Sequence, residues 1–201
     1  IAEMRLQWWR DALEEIAQGG DVRRHEVVTP LAEILNAEQA ERLYALVEAR
    51  RWDIYKDPFE DAAHFQKHLT DTSGVLLSVA AELAGAGNHP EIEIIGRVDG
   101  LARWFEAIPA LEAEGRIPLV DGRPESVVEM AETALGDYDQ ARRAIGRVSS
   151  EVASVLRATW QAKPILQRVS KTPDLVIRGE LSSGEFSKKF SLMWKSLNAN
   201  W

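Results

Sequence analysis

The chain has 201 residues, 45% of them hydrophobic and 28% charged, the size and composition of one globular domain with a sizeable core. A formal net charge of −8 argues against nucleic acid as a partner, since phosphate-backbone binders carry a basic face, and no run of about 18 apolar residues marks a membrane span. With no cysteine, disulfides and thiolate metal sites are excluded, and the cytoplasm is the expected location.

Near the start, "EMRLQWWRDALEEI" places Leu6, Trp9, Leu13 and Ile16 at helical spacing, and Gly19 and Gly20 end that helix. Adjacent helical residues point about 100° apart, so Trp8 lies with Arg5 and Ala12 on a neighbouring face. There its ring can line a cavity or rest on a second helix. Residues 30 to 49 repeat the pattern through Leu31, Ile34, Leu35, Leu43, Leu46 and Val47, with a bend or short turn at Asn36. A long helix is expected after Pro58, carrying Phe59, Ala62, Phe65, Leu69, Leu76 and Val79 until "GAGNHP" stops it. Another covers about 91 to 109, and "EGRIPLVDGRP" reads as a loop. Helices resume over about 125 to 145 and from Ser149 to Gln161, and a last one begins near Ser183, a serine cap. The longest alternating, strand-like run is "DLVIRG". The class is all-α.

Site signatures of general type are sparse: there is no GxGxxG, P-loop, HExxH or EF-hand loop. His64 and His68 stand four apart, a spacing at which two imidazoles can share a metal on a helix, yet no third ligand is near in sequence. Asp53, Asp57 and Asp61 are also four apart, as weak candidates for magnesium. Pro58 disfavours a helical Asp57, so acids flanking and capping a helix N-terminus are the better reading. In the tail, Phe186, Phe190, Met193, Trp194, Leu197 and Trp201 share one helical side, with Lys188, Lys189 and Lys195 elsewhere. Such a helix can cover its own core or lie in a membrane interface. Phe190, Trp194 and Trp201 are the membrane-contact candidates, placing any peripheral contact at the inner face of the membrane.

"MRLQWWRDALEEI" followed by "RRHEVVTPLAEIL" resembles the squalene/phytoene synthase family, particularly bacterial members with a tryptophan-rich helix leading to an Arg-His segment. "ARRWDIYKDPFEDAAHFQKHLTDTSGVLL" is similar to the family's acidic step, spacer and "YCxxVAGxVG" helix. "GLARWFEAIPALEAEGRIPLVDG" occupies the place of "GxAxQLTNILRDVxED" and the "GRxYLP" loop. The resemblance covers most of residues 3 to 123 and weakens beyond.

It implies a single isoprenoid-synthase-type helical domain over residues 1 to 201 with a central apolar cavity. Active members condense two prenyl diphosphates, and two aspartate-rich faces hold the magnesium ions that neutralise the leaving group. The first of those motifs is expected to lie before Ile1. In the second, the Asn, Arg and first Asp fall on Ala107, Ala110 and Leu111, whose side chains bind neither magnesium nor phosphate, and Pro109 is expected to interrupt the helix. Glu112 and Glu114 do not restore the four-residue carboxylate spacing. The motif tyrosine falls on His68, its first glycine on Gly74 and its second on Leu77, while Gly115 and Arg116 keep the loop's "GR". Mitochondrial relatives that serve as respiratory complex I assembly factors carry an "IRMQFW"-like helix similar to Arg5 through Trp9.

Two functions follow from the resemblance. One is a diverged, non-catalytic member that binds a prenyl or lipid-like ligand or acts through a protein partner as an assembly or accessory factor. The other is an active magnesium-dependent prenyltransferase that uses Asp53 and Asp57, with Arg50, Arg51 and Arg116 supplying charge to a diphosphate. The cavity or ligand candidates are Arg5, Trp8, Arg50, Arg51, Asp53, Asp57, His68, Gly74 and Arg116. No cofactor is expected on the first reading, and magnesium on the second.

Overall fold

The computed structural model describes residues 1–181; the tail helix expected from Ser183, with Phe190, Trp194 and Trp201, lies outside the described residues. No strand occurs among the described residues, as the all-α reading requires. No described helix is long and apolar enough to cross a membrane. The chain divides into two compact units, Ile1–Lys56 and the part from Asp57 onward.

In the first unit, helix α1 (Ala2–Gln18) packs on α3 (Ala37–Ala49), with the short α2 (Val28–Ile34) between them in sequence. Ala12, Leu13, Ile16, Val28, Leu35 and Ala40 form its core, while Leu6 and Trp9 are only half-buried. Gly19 ends α1 at φ 67° and donates its N–H to the Ile16 carbonyl, a left-handed cap that glycine adopts without a Cβ clash. The break expected at Asn36 is a capping box: Asn36 accepts from the Gln39 N–H, and the Gln39 side chain accepts from the Asn36 N–H. A 3-10 turn, Arg50–Asp53, follows.

In the second unit the expected helix after Pro58 begins later and is divided. Asp61 caps α4 (Ala62–Leu69) by accepting from the His64 N–H at 2.7 Å, so Asp61 plays the capping role that its place before a helix suggested. A π-helical turn, Thr70–Gly74, then leads into α5 (Val75–Leu83). One residue more per turn rotates everything downstream around the axis. Leu76, placed by its spacing on the core stripe, is therefore 55% exposed, while its neighbours Leu77 and Val79 are buried.

The turn is held close to the long α6 (Pro90–Ala113) by missing side chains. A Cβ on Gly96 would stand 2.6 Å from the Ser73 carbonyl oxygen, and one on Gly100 would stand 2.7 Å from Ser73 Oγ. Helix α6 also contacts α7 (Pro124–Ile145), α9 (Ala162–Lys171) and α10 (Asp174–Arg178), around buried Ile95, Val98, Leu101 and Phe105. Between α7 and α9 lies α8 (Ser150–Leu156), whose cap Ser149 accepts from the Val152 N–H at 3.3 Å.

Two readings need correction. Pro109 does not interrupt α6, which runs through it to Ala113. A proline so close to a helix C-terminus removes one N–H donor while the last turn continues, and its ring packs 3.5 Å from where a Cβ on Gly179 would stand. "DLVIRG" is helical: it is α10, closed by Gly179 at φ 68°. Six residues are too few for an alternating pattern to separate strand from helix.

Candidate functional site

The side of α6 that matters is the one carrying Trp104, Ala107 and Leu111, spaced three and four apart and so stacked along one stripe. Ala107 and Leu111 are half-buried, and Ala110, on another face, is exposed. Neither magnesium nor a diphosphate gains a donor from them. The stripe presents aromatic surface instead. Trp104 packs against Phe59, Phe65 and His68 at ring-centroid distances of 5.7, 5.5 and 5.4 Å, and Phe59 stands 5.3 Å from His68. These are ordinary edge-to-face and tilted aromatic separations. The Trp104 indole N–H donates to the Pro118 carbonyl at 2.9 Å.

His68 is thus 5% exposed inside an aromatic cluster. His64 meets the same Phe59 ring, edge on, at 5.4 Å, so both histidines are engaged with Phe59. Gly74 is buried where the Glu93 carbonyl oxygen would stand 3.0 Å from its Cβ, a close-packing role. Among the described residues, no three His, Asp or Glu side chains come together in a way that would hold a metal ion. Glu112 and Glu114 are exposed, and Glu114 lies 3.6 Å from Arg116. Asp99 is buried, with its carboxyl raised above the usual range by desolvation, and it accepts from Arg103 at 2.6 Å. The donor set on α6 does not fit a magnesium–diphosphate site.

The three candidate aspartates share no helical face. Asp53 lies in the 3-10 turn, 3.3 Å from Arg50; Asp57 lies in an irregular, exposed stretch; Asp61 is a cap. In the first unit, Arg51 bridges Glu48 at 3.0 Å and Glu3 at 3.3 Å, and Tyr55 donates to Glu3. Glu3 is held below the usual carboxylate range by the Tyr55 hydrogen bond and then by Arg51. Trp8 and Trp9 meet edge to face at 5.1 Å, and His25 packs on both at 4.7 and 6.3 Å. The Arg23 guanidinium lies 5.2 Å above the Trp8 ring, donates to the Trp8 carbonyl and pairs with Glu15 at 2.6 Å. Trp8 is therefore half-buried under Arg23 and His25, and Arg5 is exposed.

The second unit holds a cavity of about 510 Å³ bounded by α4, α6, the loop before α7, and α7. Phe65, Val98, Leu101 and Ala134 give it an apolar floor; Arg97, Asp121, Glu129 and Asp137 are its charged rim. Arg97 pairs with Asp137 at 2.8 Å. Asp121 accepts from Arg123 at 2.7 Å and from Ser126 Oγ at 2.7 Å, and the arginine bonds first of all hold its carboxyl far below the usual range. Arg97 and Trp104 are seven residues apart and lie within about 20° of each other around α6, and Phe65 lines the cavity and packs on Trp104, so the cavity adjoins the motif stripe on its Trp104 side. Reading by sequence missed these residues, although Glu129, Thr133 and Asp137, spaced four apart beside an apolar stripe, carried a signal.

The family model described as Squalene/phytoene synthase matches residues 1–119. No match was found among curated proteins or solved structures. A match across more than half of the chain, over the same tryptophan-rich helix, capped α4 and glycine-bearing α6 described above, makes this protein a member of the squalene/phytoene synthase family.

Proposed function

We propose that this chain is a non-catalytic member of its family, working as a binding or accessory protein that holds a prenyl or lipid-like ligand or acts through a protein partner. The observation that carries the reading is the stripe on α6: where a diphosphate-handling relative needs carboxylates and amides, Ala107 and Leu111 stand beside Trp104, which is packed against His68, Phe59 and Phe65. Catalysis of diphosphate departure needs groups that stabilise separated charge, and apolar side chains supply none. The test is incubation of the full-length protein with magnesium and farnesyl or geranylgeranyl diphosphate, measuring diphosphate release. No release above the protein-free control is expected. Robust turnover that Asp53→Asn abolishes would overturn the reading in favour of a prenyltransferase.

A further inference from the structure

The cavity bounded by α4, α6 and α7 differs in charge from what a diphosphate requires. A phosphate group is recognised by guanidinium, ammonium or convergent N–H donors. Among the described lining residues only Arg97 offers a cation, and its guanidinium is bound to Asp137. Asp121 is likewise paired, with Arg123. With those two pairs formed, the charge left at the rim is Glu129, which makes no ion pair or hydrogen bond with another described residue. Glu129 and Thr133 are exposed while Phe65, Val98 and Leu101 beneath them are nearly inaccessible. An apolar trough is thereby set under an acidic mouth. Its volume of about 510 Å³ lies within the usual range of small-molecule sites.

We propose that this cavity binds an amphiphile whose head group is an amine, with its apolar body over Phe65 and Leu101 and its cationic head at Glu129. The proposal rests on the preceding reading only in taking the ligand to be held rather than turned over. A cation at the mouth gains from Glu129 and disturbs neither existing pair, whereas a diphosphate adds negative charge beside three carboxylates. The same apolar body with a hydroxyl head has neither the gain nor the penalty.

Farnesylamine, farnesol and farnesyl diphosphate share one chain and differ at the head, so calorimetric titration of the full-length protein, in low salt with chelator, isolates the head-group preference. The amine is expected to bind at least ten-fold more tightly than the diphosphate, with the alcohol between them. Glu129→Gln should weaken the amine several-fold and leave the alcohol unchanged. Thr133→Trp, an exposed substitution that narrows the mouth, should weaken the amine and the alcohol at least ten-fold while the circular dichroism spectrum is unchanged. Diphosphate binding equal to or tighter than the amine, amine binding indifferent to both variants, or no binding of any probe would each overturn the proposal. Magnesium-dependent diphosphate release would instead overturn the non-catalytic reading, and it is scored separately: an enzyme that still loses the amine in Thr133→Trp keeps this site.

Discussion

At Gly96, a single added methyl group would meet the Ser73 carbonyl oxygen, the Gly74 Cα and the Leu77 Cβ at 2.6, 2.8 and 2.9 Å. Two of those atoms are backbone, so the π-helical turn itself must move. At Gly100 the nearest atoms are Ser73 Oγ and Cβ at 2.7 and 2.8 Å; the hydroxyl can rotate away, but the Cβ is fixed to the backbone, so here too the turn must move. Gly136, in the middle of α7, would meet nothing within 4 Å. Alanine is a better helix former than glycine by about 1 kcal/mol, while overpacking costs about 1–3 kcal/mol. Gly96→Ala and Gly100→Ala should therefore each destabilise, by up to about 2 kcal/mol, and Gly136→Ala should stabilise by about 0.5–1 kcal/mol, all read from urea unfolding midpoints. Some of this scale was legible in sequence: the loss of binding groups at Ala107, Ala110 and Leu111 follows from their side chains alone. The partnership of Trp104 with Phe59 and His68 was not, because it joins residues far apart in the chain through tertiary packing that no local spacing encodes.

Helix ends and phases were read with uneven success for physical reasons. The break at Asn36 was visible because a capping residue leaves a composition signature, and the asparagine–glutamine exchange there accounts for it. Asn36→Ala should cost about 1 kcal/mol, and native-state hydrogen exchange should show the loss concentrated in the first turn of α3. The turn at Thr70–Gly74 left no such mark. Its sequence, TDTSG, is rich in residues that bond their own backbone, and Thr72 Oγ1 does donate to the His68 carbonyl at 2.6 Å. Such bonding fits loops and helices alike, so the phase slip that turns Leu76 outward could not be read from period.

Across the molecule, the described carboxylates with lowered proton affinity occur in both units. Glu15 falls to about 2 because Arg23 bonds it through side chain and backbone, and Asp121 is lowered by Arg123 and Ser126. A carboxylate held lower in the folded than in the unfolded chain stabilises above its unfolded value, 4.5 for Glu15 and 3.8 for Asp121, and that contribution fades as pH falls toward the folded value. Asp99 has the opposite sign: raised by burial, it takes up its proton earlier in the folded chain and offsets part of the loss. Stability measured by urea should change little from pH 7 to 5.5 and drop between about 4.5 and 2. The difference between the native chain and Glu15→Gln should shrink over the same interval and with added salt, because Glu15 and Arg23 are partly open to solvent. The whole-molecule class was the most legible level, since helical period and the tryptophan-rich opening survive divergence; the acidic mouth of the cavity was not, because it is assembled from α6, α7 and a loop.

The hydrogen bond from the Trp104 indole to the Pro118 carbonyl has a kinetic meaning. It ties the loop that carries Val120 and Asp121, two walls of the cavity, to the rigid body of α6. For the amphiphile proposed above, the vestibule is then already in its final form, so its capture should need no slow reordering step. Stopped-flow mixing with farnesylamine should give one exponential whose rate rises linearly with concentration. In Trp104→Phe, which keeps a ring but frees the loop, a second phase that saturates with concentration should appear.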